Sequence, residues 1–133
     1  MFRWAIKQRL ARGQRPGVGG KRNTQVPKSV VDDWLDEART RYGIKSILAL
    51  IDESQLRFYS ELPSDLIRYY RSQGFQVAHI SAPNMRKPAL SRKHLKMALQ
   101  AYQNLEKPVL IHCSAGIGRT GAAVHYVKQS LRH

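Results

Sequence analysis

Apolar residues recur along this chain in two rhythms, and their alternation sets the expected fold. Val30, Val31, Trp34, Leu35 and Ala38 fall at helical spacing. Ser29 suits an N-cap for that helix, with Asp32 three residues on as a partial capping box, and Gly43 stops it. Residues 46–51 (SILALI) form a short apolar run that suits a buried strand, and Asp52 and Glu53 follow at once. A second helix is expected over 63–73, with Leu66, Ile67 and Tyr70 inward and Gly74 after it. Residues 76–80 read as a strand, and 81–90, which hold Pro83 and Pro88, as a loop. Ser91 caps a helix running through Leu105, with Leu95, Ala98, Leu99 and Tyr102 on one face, and Pro108 breaks it. Residues 109–112 are the next strand and 119–131 the final helix.

Strands that alternate with helices imply an α/β fold with a central, mostly parallel sheet flanked by helices. In such sheets ligands bind beyond the carboxyl ends of the strands. At 133 residues the chain matches one domain, expected to span 1–133. Residues 1–28 carry eight basic side chains and no acid, with Phe2, Trp4, Ile6 and Leu10 interleaved. A presequence, a basic segment for a membrane or nucleic acid, and a short edge strand followed by a loop compete for this stretch. The last is expected, with Pro16, Gly17, Gly19 and Gly20 marking the loop.

Charge narrows the partner. Lys and Arg number 23 against nine Asp and Glu, a formal net charge of +14, so the partner or substrate is expected to be anionic. A hydrophobic fraction of 42% excludes wholesale disorder. No apolar run approaches the roughly 20 residues that span a bilayer. A single cysteine, Cys113, excludes an internal disulfide framework and a zinc site built on several thiolates. His79, His94, His125 and His133 have no ligand-like spacing, so no metal site is expected. The expected location is cytoplasmic.

The chemistry concentrates in His112-Cys113-Ser114-Ala115-Gly116-Ile117-Gly118-Arg119-Thr120-Gly121, between an apolar strand and an amphipathic helix. A loop ending at a helix N-terminus aims successive backbone N–H groups inward, and such a nest binds a phosphate dianion. Gly116 and Gly118 are expected to let the backbone take positive φ and approach the oxygens. Arg119 adds a planar fork for two phosphate oxygens. The same positive field lowers the Cys113 pKa from about 8.5, so that a thiolate can attack phosphorus.

The pattern H-C-x-x-G-x-x-R-T-G resembles the signature of the cysteine-dependent protein tyrosine phosphatases, most like their compact dual-specificity and prokaryotic members. "WAI…RLARGQRPG" near the start also resembles the lead-in strands of small bacterial members. The resemblance implies a phosphatase without a cofactor, acting on phosphotyrosine or mixed phosphoprotein substrates through a thiophosphoryl enzyme. It implies that residues 114–119 hold phosphate, that Thr120 bonds the sulfur and that His112 orders the loop. It also implies an aspartate as general acid on the 81–90 loop, where this chain has Asn84. Asn84 cannot deliver a proton, and the only acid after Gly74 is Glu106, expected at the wrong edge of the sheet. By elimination Asp52 or Glu53, at the carboxyl end of a strand, either donates the proton or holds the cradle in shape. The chain stops at His133, where small members continue past the helix after the signature, so it reads as minimal or as a fragment. Two other functions stay open. The +14 charge and the missing aspartate suit a phosphatase on RNA 5′-phosphates or another polyanion, with nucleic acid as partner. Asn84 also suits a pseudophosphatase that binds phosphate without turnover. Oligomeric state is left undetermined.

Overall fold

The structure, a computed structural model, describes residues 2–18, 24–83 and 87–132. Asn84, Gly19, Gly20, Lys21, Arg22 and His133 lie outside the described residues. Five described strands form one sheet: β1 (Arg3–Ile6), β2 (Leu10–Gln14), β3 (Ser46–Ala49), β4 (Gln76–His79) and β5 (Val109–Cys113). Their order across the sheet is β1-β2-β5-β3-β4. Only β1 runs antiparallel, paired with β2; β2–β5, β5–β3 and β3–β4 are parallel. The expected mostly parallel sheet is therefore present. The N-terminal stretch supplies two strands, with β2 inside the sheet and β1 at its edge.

Five described α-helices flank the sheet: α1 (Lys28–Tyr42), the short α2 (Glu53–Leu56), α3 (Leu66–Ser72), α4 (Arg92–Asn104) and α5 (Gly118–Ser130). Alternation along β3 divides the core between the two faces. Ile47, Ala49 and Ile51 join Val31, Trp34, Leu35 and Tyr70 under α1 and α3. Leu48 and Leu50 join Ala98, Tyr102, Val124 and Val127 under α4 and α5. A strand buried on both faces has no polar side to show, which is why SILALI reads as one apolar run.

The helix signals are mostly realised. Val31, Trp34, Leu35 and Ala38 are the buried face of α1. Gly43 closes it at φ +63, and the Ile44 N–H returns to Ala38 O at 3.0 Å. Ser91 Oγ caps α4 by accepting the His94 N–H at 3.1 Å. Ser29, however, is not an N-cap. The helix already includes Lys28, Pro27 holds the cap position, and the Lys28 N–H donates to Glu61 Oε1 at 3.2 Å. Asp32 makes no capping box either; it pairs with Lys28 at 2.8 Å one turn away. The 63–73 helix is shorter than expected, because Asp65 caps it by accepting the Arg68 N–H at 3.0 Å. No described helix is long and apolar enough to cross a membrane.

Candidate active site

Cys113 ends β5, a strand flanked by β2 and β3, and Gly118 starts α5. Residues 114–117 bridge them as a tight loop at the carboxyl edge of the sheet. The Leu50 N–H donates to His112 O at 2.8 Å and fixes the strand end beside it. Gly116 stands at φ +79, and a Cβ there would lie 2.6 Å from Gly13 O. Glycine is therefore required, both for its conformation and for the close approach of the loop to β2. Gly118 differs from expectation. It has no positive φ and open space around it, so its freedom is not used in the same way.

The Cys113 side chain is buried. Burial pushes its thiol up, but the Thr120 hydroxyl, the Thr120 and Gly116 N–H groups and the Arg119 charge together outweigh this, leaving the pKa below the ordinary thiol value. Thr120 Oγ1 is buried and makes no hydrogen bond of ordinary geometry to another protein group.

Arg119 is the most telling side chain. It is buried, and Nη1 is anchored to Ala82 O at 2.7 Å, Leu50 O at 3.1 Å and Gln55 Oε1 at 3.2 Å. Its Nε and Nη2 are buried and make no hydrogen bond of ordinary geometry to a protein acceptor, although the nearby Cys113 sulfur acts on the guanidinium. A buried guanidinium edge without an acceptor costs free energy unless an anion fills it. Nε and Nη2 together form the two-pronged edge that matches two oxygens of a phosphate. Burial lowers the Arg119 pKa, and the charges at Cys113 and Asp52 oppose that; a guanidinium stays protonated regardless.

Asp52 and Glu53 sit where β3 leads into α2, on the edge that carries the loop. Asp52 caps α2 in a reciprocal box with Gln55, whose Oε1 accepts the Asp52 N–H at 3.3 Å and also holds Arg119. The Asp52 carboxylate further accepts the Ser54 hydroxyl at 2.6 Å. Among the described residues no ion pair involves Asp52 or Glu53. Glu53 is exposed in the first turn of α2. Glu106 lies at the opposite edge, where its N–H donates to Gln76 Oε1 at the start of β4 and its carbonyl accepts the Ser46 hydroxyl at the start of β3.

Behind the loop His112 is fully buried. Its Nδ1 faces Cys113 O at 3.0 Å and its Nε2 faces Tyr70 Oη at 3.0 Å. Because a carbonyl can only accept, Nδ1 carries the proton and the Tyr70 hydroxyl donates to Nε2. Burial, aided by Arg15, Arg119 and His79 against the bond to Cys113 O, lowers the ring's pKa to about 4. It is thus neutral at pH 7. Trp34 and Tyr70 both meet it edge-on, at 5.4 and 5.9 Å between ring centroids.

Sequence reasoning missed a brace of two arginines, Arg12 in β2 and Arg15 just after it. The buried Arg15 donates through Nε to Ser114 Oγ at 3.2 Å and through Nη1 to Tyr59 Oη at 3.0 Å, while its N–H reaches Ser114 O at 3.0 Å. The Tyr59 hydroxyl in turn donates to Pro16 O at 2.7 Å. Arg12 Nη2 holds Gly116 O at 2.9 Å. Nothing in a run of similar cations marked these two. Gln55 did leave a signal, the D-x-x-Q spacing after a strand. Among the described residues no group of three or more His, Cys, Asp or Glu could hold a metal ion.

The family model described as "Polymorphic toxin system, DSP-PTPase phosphatase" matches residues 20–128. The core catalytic domain of the PP-IP phosphatase SIW14 from S. cerevisiae, in complex with citrate, superposes with a TM-score of 0.64 at 21% identity, over 99% of this chain and 67% of that one. A second structure of the Siw14 catalytic core gives 0.62 at 19%, with the same coverage. Tk-PTP in its active form gives 0.58 at 22%, over 94% of this chain and 71% of that one. These likenesses carry the fold. No curated protein matches the sequence.

Proposed function

The chain belongs to the DSP-PTPase phosphatase family of polymorphic toxin systems, and from that premise we propose that it hydrolyses phosphate monoesters through Cys113, with phosphotyrosine or mixed phosphoprotein substrates as its class. That it is a tyrosine/dual-specificity-phosphatase-like hydrolase follows from the family; the nucleophile, the site residues and the substrate are this proposal. The observation that carries it is the unpartnered Nε–Nη2 edge of Arg119, buried beside a thiol of lowered pKa.

In the first step the Cys113 thiolate attacks phosphorus, an S–P bond forms, and the P–O ester bond breaks. The departing oxygen takes a proton as it leaves. Water then attacks phosphorus, the S–P bond breaks, and inorganic phosphate and the thiolate are released. Backbone N–H groups of residues 114–118 and the Arg119 fork bind the equatorial oxygens and stabilise the charge that develops. Thr120 supports the sulfur as it leaves. His112 and Tyr70 hold the strand end, Arg15 the Ser114 side of the loop, and Arg12 the Gly116 side.

Proton donation is the weak point of this machinery. The hydrogen-bond pattern favours Asp52 as a positioning residue, since its capping box holds the Gln55 that grips Arg119. Glu53 is exposed and without an ion pair among the described residues, so it remains the candidate donor of the two. A phenol has a pKa near 10, so a phosphotyrosine substrate gains most from an acid. The +14 charge supports a second reading, in which the substrate is an RNA 5′-phosphate or another polyanion whose leaving group needs less help.

The test compares kcat/KM for p-nitrophenyl phosphate, a phosphotyrosine peptide and a 5′-triphosphorylated RNA. Turnover of the first with preference for the peptide supports the proposal. Preference for the RNA transfers the protein to the second reading. Binding of phosphate without turnover of any of the three would overturn both in favour of a pseudophosphatase.

A further inference from the structure

Arg3 and Arg12 are directly opposed in the β1–β2 pair. Residues so placed project from the same face of a two-stranded pair, and like charges there repel. Both arginines line a cavity of about 220 Å³, bounded further by Gly13, Gln14, Gly116 and Ile117. None of the described residues that line it carries a carboxylate. Arg12 is half-buried, and both burial and the charge of Arg3 lower its pKa. One of its nitrogens is committed to Gly116 O. Two cations are thus held together against their repulsion, on the outer side of the loop that cradles the reacting phosphate.

We propose that this cavity, between Arg3 and Arg12 of the hairpin and the outer side of the 114–117 loop, is a second phosphate-binding position. The inference rests on the reading that the loop itself holds the first phosphate. A doubly charged anion between the two arginines turns their repulsion into two charge-assisted contacts. Gln14, a neutral residue, also lines the cavity. The second phosphate comes either from the same substrate, which then carries several phosphate groups, or from a separate phosphate ion.

The test uses the full chain, with inorganic phosphate and tripolyphosphate as probes. Calorimetric titration with inorganic phosphate should show two positions per chain in the parent and one in Arg3→Gln. Arg3 is exposed and outside the loop, so this variant should fold and should hydrolyse p-nitrophenyl phosphate within about two-fold of the parent. If both positions serve one ligand, tripolyphosphate should bind the parent about ten-fold more tightly than phosphate, and Arg3→Gln and Arg3→Glu should remove that advantage. Two phosphate positions without a tripolyphosphate advantage would assign the cavity to a separate ion. One phosphate position in the parent, with tripolyphosphate binding unchanged in both variants, would overturn the proposal. The phosphatase reading fails separately: a parent that never turns over p-nitrophenyl phosphate, yet binds two phosphates and loses one in Arg3→Gln, keeps the cavity's assignment and loses the catalytic one.

Discussion

Acid should unfold this protein partly through one histidine. His112 titrates near 6.5 when unfolded and at about 4 when buried behind the loop. That gap corresponds to about 3 kcal/mol between the neutral and charged ring, at about 1.4 kcal/mol per pH unit. The folded value lies below the unfolded one, so the contribution is intact above about pH 6.5. It is lost progressively as pH falls towards 4, because the unfolded chain takes up a proton that the folded chain refuses. At pH 5 the loss amounts to about 2 kcal/mol. The perturbation is His112→Gln, which is of similar length, carries no titrating group in this range and can accept from the Tyr70 hydroxyl in place of Nε2. The assay is urea unfolding of parent and variant from pH 8 down to about 5. Carboxylates titrate in both proteins and cancel in the difference. The parent should lose about 2 kcal/mol more than the variant over that range. Parallel pH profiles would refute the buried neutral ring and the hydrogen-bond directions assigned to it.

Three further outcomes follow from the site. Arg119→Lys should lower kcat/KM by at least about 100-fold although charge is kept, because a point charge cannot present the Nε–Nη2 edge; steady-state kinetics on p-nitrophenyl phosphate checks it. Gly116→Ala should reduce activity and lower the melting temperature together, since its Cβ meets Gly13 O at 2.6 Å and φ is +79; a fully active, equally stable variant would contradict the loop geometry. Asn84→Asp should speed phosphotyrosine hydrolysis below neutral pH and barely change p-nitrophenyl phosphate, because donation helps in proportion to the basicity of the departing oxygen; a leaving-group series on the parent, Asn84→Asp, Asp52→Asn and Glu53→Gln separates this from a proton already supplied by Asp52 or Glu53.

What the sequence disclosed, and what it hid, divides by the range of the interactions. The parallel sheet was legible because strands such as SILALI are buried on both faces and alternate with amphipathic helices. Cys113, Gly116 and Arg119 stood out because one strand–loop–helix segment holds them together. Local capping misled at Ser29, since Glu61, far along the chain, takes the Lys28 N–H. The bracing of the loop was hidden for a related reason. Arg12 and Arg15 look like their basic neighbours, and only the parallel pairing of β2 with β5 carries them to Gly116 and Ser114. The short α2 was overlooked because two acids after a strand resemble a solvated turn, yet their D-x-x-Q spacing already encoded the cap that sets Gln55 against Arg119.

The claim on which the rest depends is that Cys113 becomes phosphorylated. Rapid acid quench of the enzyme with p-nitrophenyl phosphate, followed by peptide mass spectrometry, tests it directly. One added phosphoryl group is expected on the peptide containing Cys113, formed faster as pH rises through a thiol pKa below the ordinary value and absent in Cys113→Ser. Hydrolysis by Cys113→Ser near the parent's rate, or a phosphoryl group trapped on any other residue, would contradict it.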